Sequence, residues 1–98
     1  MKRVKPKPFP SQALVRNAAD LGAAIRSSRT SAGLKLEDAA ETLGMTAKTL
    51  AAIETGKPGV RLDNLLHATL GLGVDLYIAP RSRRDVVTRR LASLTTPT

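Results

Sequence analysis

The side chains that can do chemistry in this chain are few, and their spacing does not suit catalysis. There is no cysteine and a single histidine, His67, which excludes disulfides, thiolate metal sites and a zinc site. The carboxylates Glu37, Asp38 and Glu41 fall on the water side of a predicted helix, and no glycine-rich phosphate loop is present. No catalytic residue, metal or cofactor is expected. What remains is recognition of an anion. The stretch GMTAKTLAAIETGK, Gly44 to Lys57, sets Lys48 among alanines and threonines and ends on Lys57.

Charge distribution supports that chemistry. The formal net charge is +8, and it sits at the ends. Lys2, Arg3, Lys5 and Lys7 crowd the start, while Arg81, Arg83, Arg84, Arg89 and Arg90 outnumber Asp85 near the finish. Between them basic and acidic residues balance. Basic arms on a neutral body suit a polyanion partner, most often nucleic acid; the plainer alternative is arms that only keep the protein dissolved.

The elements that must position these residues are short. With 98 residues, 42% apolar and 2% aromatic, the chain suits one small domain with a thin aliphatic core. No stretch approaches the roughly 18 apolar residues of a membrane span, and no apolar signal region follows the basic start, so a soluble cytoplasmic protein is expected. Residues 1–10 read as an extended Lys-Pro arm, 11–80 as the folded domain and 81–98 as a basic tail. Ser11 to Ala18 allows a short helical turn. Asn17 is placed to cap a helix over 18–31 with Leu21, Ala24, Ile25 and Ala32 on its apolar face, closed by Gly33.

Leu36, Ala39, Ala40 and Leu43 then form one helical stripe, and Gly44 supplies a tight turn. Met45 turns inward, and Thr46 caps a third helix that sends Leu50 and Ile53 to the core before Gly56 closes it. Leu62, Leu65, Leu66, Thr69 and Leu70 mark a fourth helix, the strongest periodic signal in the chain. After Gly73, residues 74–79 alternate as a strand, with Val74, Leu76 and Ile78 against Asp75 and Tyr77. A lone strand leaves its backbone unpaired, which predicts a homodimer closed by an intermolecular ribbon; the alternative is a strand docked on its own domain. A short last helix over about 84–94 aligns Val87, Leu91 and Leu94. The expected fold is all-α with five helices and one strand that pairs across the dimer.

Two short helices joined by a glycine turn make a helix-turn-helix. Residues 36–55 closely resemble the helix-turn-helix of the XRE and phage-repressor family, through Ala40 where the helices cross, Gly44 in the turn, and Leu50 and Ile53 on the second helix. That resemblance implies a lambda-repressor-like domain. It also implies an ion pair between an arginine near the end of helix one and a glutamate ending the recognition helix, positions held by Arg29 and Glu54. The ending Glu-Thr-Gly-Lys matches the family too, which implies that Lys57 and the loop amides face a phosphate. Over residues 20–79 the chain is similar to the HipB-type antitoxin branch. The similarity implies a small bacterial dimer that sits on operator DNA, represses its own operon and holds a HipA-like serine/threonine kinase toxin. One departure is local: Lys35-Leu36 stands where the family has Thr-Gln, so the cap is lost, Lys35 remains to reach a phosphate, and Leu36 packs.

In this geometry Ala47, Lys48, Ala51 and Ala52 face the major groove, with Thr46, Thr49 and Thr55 at the edges. Alanines allow close approach and touch thymine methyls, but make no bidentate hydrogen bonds to bases. Lys48 meets a base, guanine offering it the acceptors N7 and O6, or a phosphate. DNA shape, dimer spacing and the arms then carry much of the selection. The arms alternatively grip an acidic toxin surface. Val74, Leu76, Tyr77 and Ile78 are assigned to the dimer strand, and His67 is read as a surface or half-buried filler rather than a switch. The competing function is a protein-interaction module that keeps the fold without specific DNA reading.

Overall fold

The computed structural model describes residues 3–11 and 13–95. Asn17 starts the first helix: its Oδ1 accepts from Asp20 N at 2.9 Å, while Asp20 Oδ2 accepts from Arg16 N at 3.0 Å. The first bond satisfies an amide that the helix start leaves open, and the second ties the residue before the cap to the first turn. Five α-helices follow, α1 Ala18–Ser31, α2 Leu36–Leu43, α3 Ala47–Thr55, α4 Leu62–Leu72 and α5 Arg84–Thr95, with a 3-10 turn at Arg81–Arg83 before the last. Lys35, at the N-cap of α2, makes no side-chain capping bond; Glu37 and Asp38 in the first turn offset the helix dipole instead. Gly44 has φ 71°, a left-handed conformation that Gly adopts without a Cβ penalty, and this turns the chain from α2 towards α3.

The core lies where α1 to α4 converge. Ile25, Ala39, Ala40, Leu43, Leu50, Ile53 and Ala68 are buried, and Leu21, Leu34, Leu36, Met45, Ala47, Val60 and Leu72 pack around them. Only Ile25, Leu43, Leu50 and Ile53 are large members of the buried set, each contributing about 1.5–3 kcal/mol. Any one loss therefore matters. Ala40, 2% exposed, leaves room for the neighbouring helices to approach.

Three expectations need correction. On α4, Leu62, Leu66 and Leu70 face outward, 69%, 45% and 83% exposed, while Ala68 and Thr69 are buried and Leu72 packs on the core. α4 is apolar on more than one face, so its periodicity could not say which face turns inward. Ala32 also lies exposed, one residue beyond α1. Second, the segment after α4 forms no strand among the described residues. Val74 is 9% exposed and its N–H donates to Thr69 O at 2.9 Å, finishing the end of α4 rather than beginning a strand. Leu76, Tyr77 and Ile78 are 41%, 70% and 100% exposed, and among the described residues no other strand offers this segment an edge to pair with.

The third correction concerns the chain before α1, where the helical turn allowed over 11–18 does not form at residues 13–16. The amino-terminal arm is tied to the body near its inner end, since Lys7 N donates to Thr30 Oγ1 at 2.9 Å and that hydroxyl donates onward to Arg26 O at 2.9 Å. Phe9, Pro10, Ala13 and Val15 then line a narrow cleft with Leu21, Leu76, Tyr77 and Leu91, and residues 13–16 form no helical turn. Met1, Lys2, Gln12 and residues 96–98 lie outside the described residues, as do the side chains of Leu94 and Thr95. Lys2 of the arm, the end of the tail and the inward placing of Leu94 are thus not described. Val87 and Leu91 of α5 are half-buried.

Candidate nucleic-acid interface

The third helix turns one face inward and leaves the other bare. Leu50 and Ile53 are 0% and 1% exposed, and Glu54, in the last turn, is buried with them. Ala47 belongs to the inner face too: it is half-buried against the core, because it lies three residues before Leu50. This corrects its assignment to the outward set. Lys48 and Thr55 are exposed, whereas Thr49, Ala51 and Ala52 are half-buried. Thr46, also exposed, accepts from Thr49 N at 3.1 Å and donates to Thr49 Oγ1 at 2.9 Å, and Thr55 Oγ1 donates to Ala51 O at 2.8 Å. Since Glu54 is buried, Lys48 supplies the only charged group on the outer face of α3.

The helix is held by backbone contact and one buried ion pair. Arg29 Nε donates to Glu54 Oε2 at 2.6 Å and Nη2 donates to Oε1 at 2.9 Å, while Nη1 donates to Leu34 O at 2.8 Å. Both residues are 8% exposed, so the pair is dry and geometrically fixed. Nearby, α1 lies directly on the carboxyl end of α3. A Cβ on Gly22 would stand 2.5 Å from Glu54 O, and one on Gly56 2.6 Å from Ala19 Cα, so glycine is what permits the contact on each side.

Two features around the helix are absent from the sequence assignments. Pro58, Gly59, Val60, Arg61 and Asn64 share a shallow cleft of about 240 Å³ with Lys48, Thr49 and Ala52. Arg61, basic and just past the loop, was legible as a neighbour; its pairing with Asp63, at 3.2 and 3.1 Å, was not. His67 does more than fill surface. Its Nε2 lies 2.7 Å from Leu43 O, joining α4 to a carbonyl that the end of α2 leaves open. Lys35 and Lys57 are exposed, so their ammonium groups are accessible. The loop amides are not equally free: Gly56 N donates to Ile53 O at 3.2 Å and Lys57 N to Ala52 O at 3.0 Å, closing α3.

The known helix-turn-helix domain family matches residues 20–77, from the first turn of α1 to beyond α4. The chain belongs to the helix-turn-helix domain family. A relative, the uncharacterized HTH-type transcriptional regulator y4mF of Sinorhizobium fredii (strain NBRC 101917 / NGR234), is 31% identical over 72 residues, which cover 71% of this chain and 93% of that protein. Membership points this helix-turn-helix domain to DNA-binding regulation rather than to enzymatic work. Among the described residues no helix is long and apolar enough to cross a membrane.

Proposed function

We propose that this helix-turn-helix domain is a transcriptional repressor that binds operator DNA as a homodimer. The supporting observation is α3 itself: a helix locked to α1 by the Arg29–Glu54 pair and two glycine contacts, with one cationic head on its outward face. So rigid a mounting suits insertion into a major groove, where an error of orientation would misplace every contact. Lys48, Ala51 and Ala52 meet base edges or phosphates, with Thr46, Thr49 and Thr55 at the margins and Lys35 and Lys57 on the backbone. The homodimer pairs Leu76, Tyr77 and Ile78 across two chains, a reading supported by their exposure in the single chain. Ile78→Asp then splits it, and sedimentation of an unchanged dimer would refute that pairing.

The finer role we propose is that of a HipB-like antitoxin, which represses its own operon and holds a HipA-like serine/threonine kinase toxin. It rests on the resemblance of residues 20–79 to that branch. A basic cleft of about 500 Å³, lined among others by Leu14, Tyr77, Arg81, Arg84 and Leu91, offers an acidic partner a place to sit. Co-purification with a kinase encoded beside it, and loss of kinase activity in the complex, is the expected result. The second reading, a protein-interaction module without specific DNA reading, draws on the alanine-rich outer face of α3. Fluorescence anisotropy with the DNA upstream of the gene and a scrambled duplex, at two salt concentrations, separates them. Salt-resistant preference for the upstream DNA supports the repressor; equal, salt-fragile binding to both removes it.

A further inference from the structure

The amino-terminal arm is a charged segment that the repressor reading does not use, although the fold holds it in place. Thr30 is 4% exposed, and its hydroxyl proton is spent on Arg26 O at 2.9 Å, which leaves the oxygen's lone pairs to accept Lys7 N at 2.9 Å. Beyond that anchor Phe9 and Pro10 share a cleft with Leu21 and Ala24, nearer the start of α1. The arm therefore runs antiparallel to α1, and the residues before Lys7 lead toward the carboxyl end of that helix, where Lys35 opens α2. Pro6 and Pro8 flank the anchor and keep the chain extended, so Arg3 reaches about 12 Å beyond Lys7, at roughly 3.1 Å per residue. Val4 is half-buried, which keeps this stretch against the body.

Charge of one sign collects along that path. Arg3, Lys5, Lys7, Arg26 and Lys35 are all exposed, and among the described residues none of them forms an ion pair. No carboxylate occurs from Arg3 to Ala19 or from Leu21 to Lys35, and Asp20 between them is taken up by Arg16. We infer that the arm is a second DNA-binding element: pinned at Thr30, it lays Arg3, Lys5 and Lys7, with Arg26 beside them, along the phosphates of the duplex outside the segment that α3 reads. The inference rests on the repressor reading above and adds a flanking contact to it. Duplex DNA is favoured over an acidic protein because the basic strip leads to Lys35, at the N-cap of the helix that in this motif crosses the sugar-phosphate backbone. Thr30 is a positioning residue, since a tethered arm has already given up the freedom that a loose one loses on binding.

Arg3, Lys5 and Lys7 can be changed together to glutamine without touching the anchor, which uses the backbone of Lys7. Fluorescence anisotropy of that triple variant is read on two duplexes: the stretch upstream of the gene that the wild type protects in a footprint, and the same stretch shortened by about four base pairs at each end, the span of the arm's reach at roughly 3.4 Å per pair. The wild type should lose on the order of 10-fold in affinity on shortening, and the triple variant much less. On the full duplex the salt slope of the triple variant should be shallower by about 2.7, or roughly 0.9 for each phosphate released. Thr30→Val removes the acceptor and keeps every charge. It should weaken binding to the full duplex about 5-fold and spare the short one, while Thr30→Ser, which keeps the hydroxyl, should bind as the wild type does. A general loss of stability would not give that pattern, and an unchanged Thr30→Val would overturn the role of the anchor. A triple variant that matches the wild type on both duplexes, slope included, overturns the arm contact, leaves the repressor reading standing and turns the arm toward an acidic protein surface. If the wild type protects no upstream site, the repressor reading fails by itself; the arm contact is then decided on a scrambled duplex, where an unchanged slope overturns it as well.

Discussion

Arg29 and Glu54, separated by 25 positions in the chain, meet in a two-pronged contact of 2.6 and 2.9 Å that ties the end of α1 to the end of α3. Because both are buried, removing one leaves the other charged in a poorly solvating place. Arg29→Ala and Glu54→Ala are each expected to cost about 3–5 kcal/mol of unfolding free energy, measured by urea titration. Arg29→Ala combined with Glu54→Ala should lose less than the sum of the two single changes. A fully additive cycle would mean that the pair is not coupled.

Gly22 and Gly71 both lie inside helices, yet they should respond differently to alanine. A Cβ at Gly22 meets the backbone carbonyls of Ile53 and Glu54, which cannot move without shifting α3, whereas one at Gly71 meets only the tip of Leu43. Gly22→Ala should destabilise by about 1–3 kcal/mol despite its better helix propensity. Gly71→Ala should remain within about 1 kcal/mol of wild type, since the propensity gain offsets the displaced methyl. Thermal melting of the two variants side by side checks this. Equal melting temperatures would show that the α1–α3 contact is looser than described.

The cap at Thr46 separates folding from DNA contact. Its Oγ1 accepts from Thr49 N at 3.1 Å, so Thr46→Ala should cost about 1 kcal/mol. Thr46→Asp keeps an accepting oxygen and should keep stability. It also places a negative charge at the exposed start of α3, and should therefore weaken operator binding strongly. Retained affinity in that variant would turn this end of the helix away from DNA.

Lys48→Ala is expected to weaken operator binding while leaving the fold unchanged, because the side chain is exposed and touches nothing in the core. The salt dependence identifies its partner. If Lys48 neutralises a phosphate, the slope of log affinity against log salt should become shallower by about 0.9. If it reads a base, the loss should fall on the operator and spare a scrambled duplex.

Much of this architecture was legible because local rules govern it. Asn17 and Thr46 are capping residues whose side chains meet amides three positions ahead, and Gly44 stands where the chain needs a left-handed turn, so the boundaries of α1 and α3 could be read from the sequence. Leu50 and Ile53 were legible as inner residues because their neighbours on the opposite face are small or polar. α4 broke that logic. Its leucines occupy several faces, and only packing against α1 and α2 decides that Ala68 goes in while Leu70 stays out. Ala47 failed for a similar reason, since an alanine carries too little hydropathy to declare a face.

The helix-turn-helix, the bareness of its outer face and the concentration of positive charge at the two ends are readable from the residues alone, because spacing, capping and charge are local properties. That Gly22 bears on the carbonyls of α3, that His67 reaches Leu43 O, that the arm is tied at Thr30 and that a leucine stripe is left facing water emerged with the packed fold. Each of these depends on which surfaces meet across long stretches of chain. That choice is made by the packing of all the helices together, and no single segment carries it.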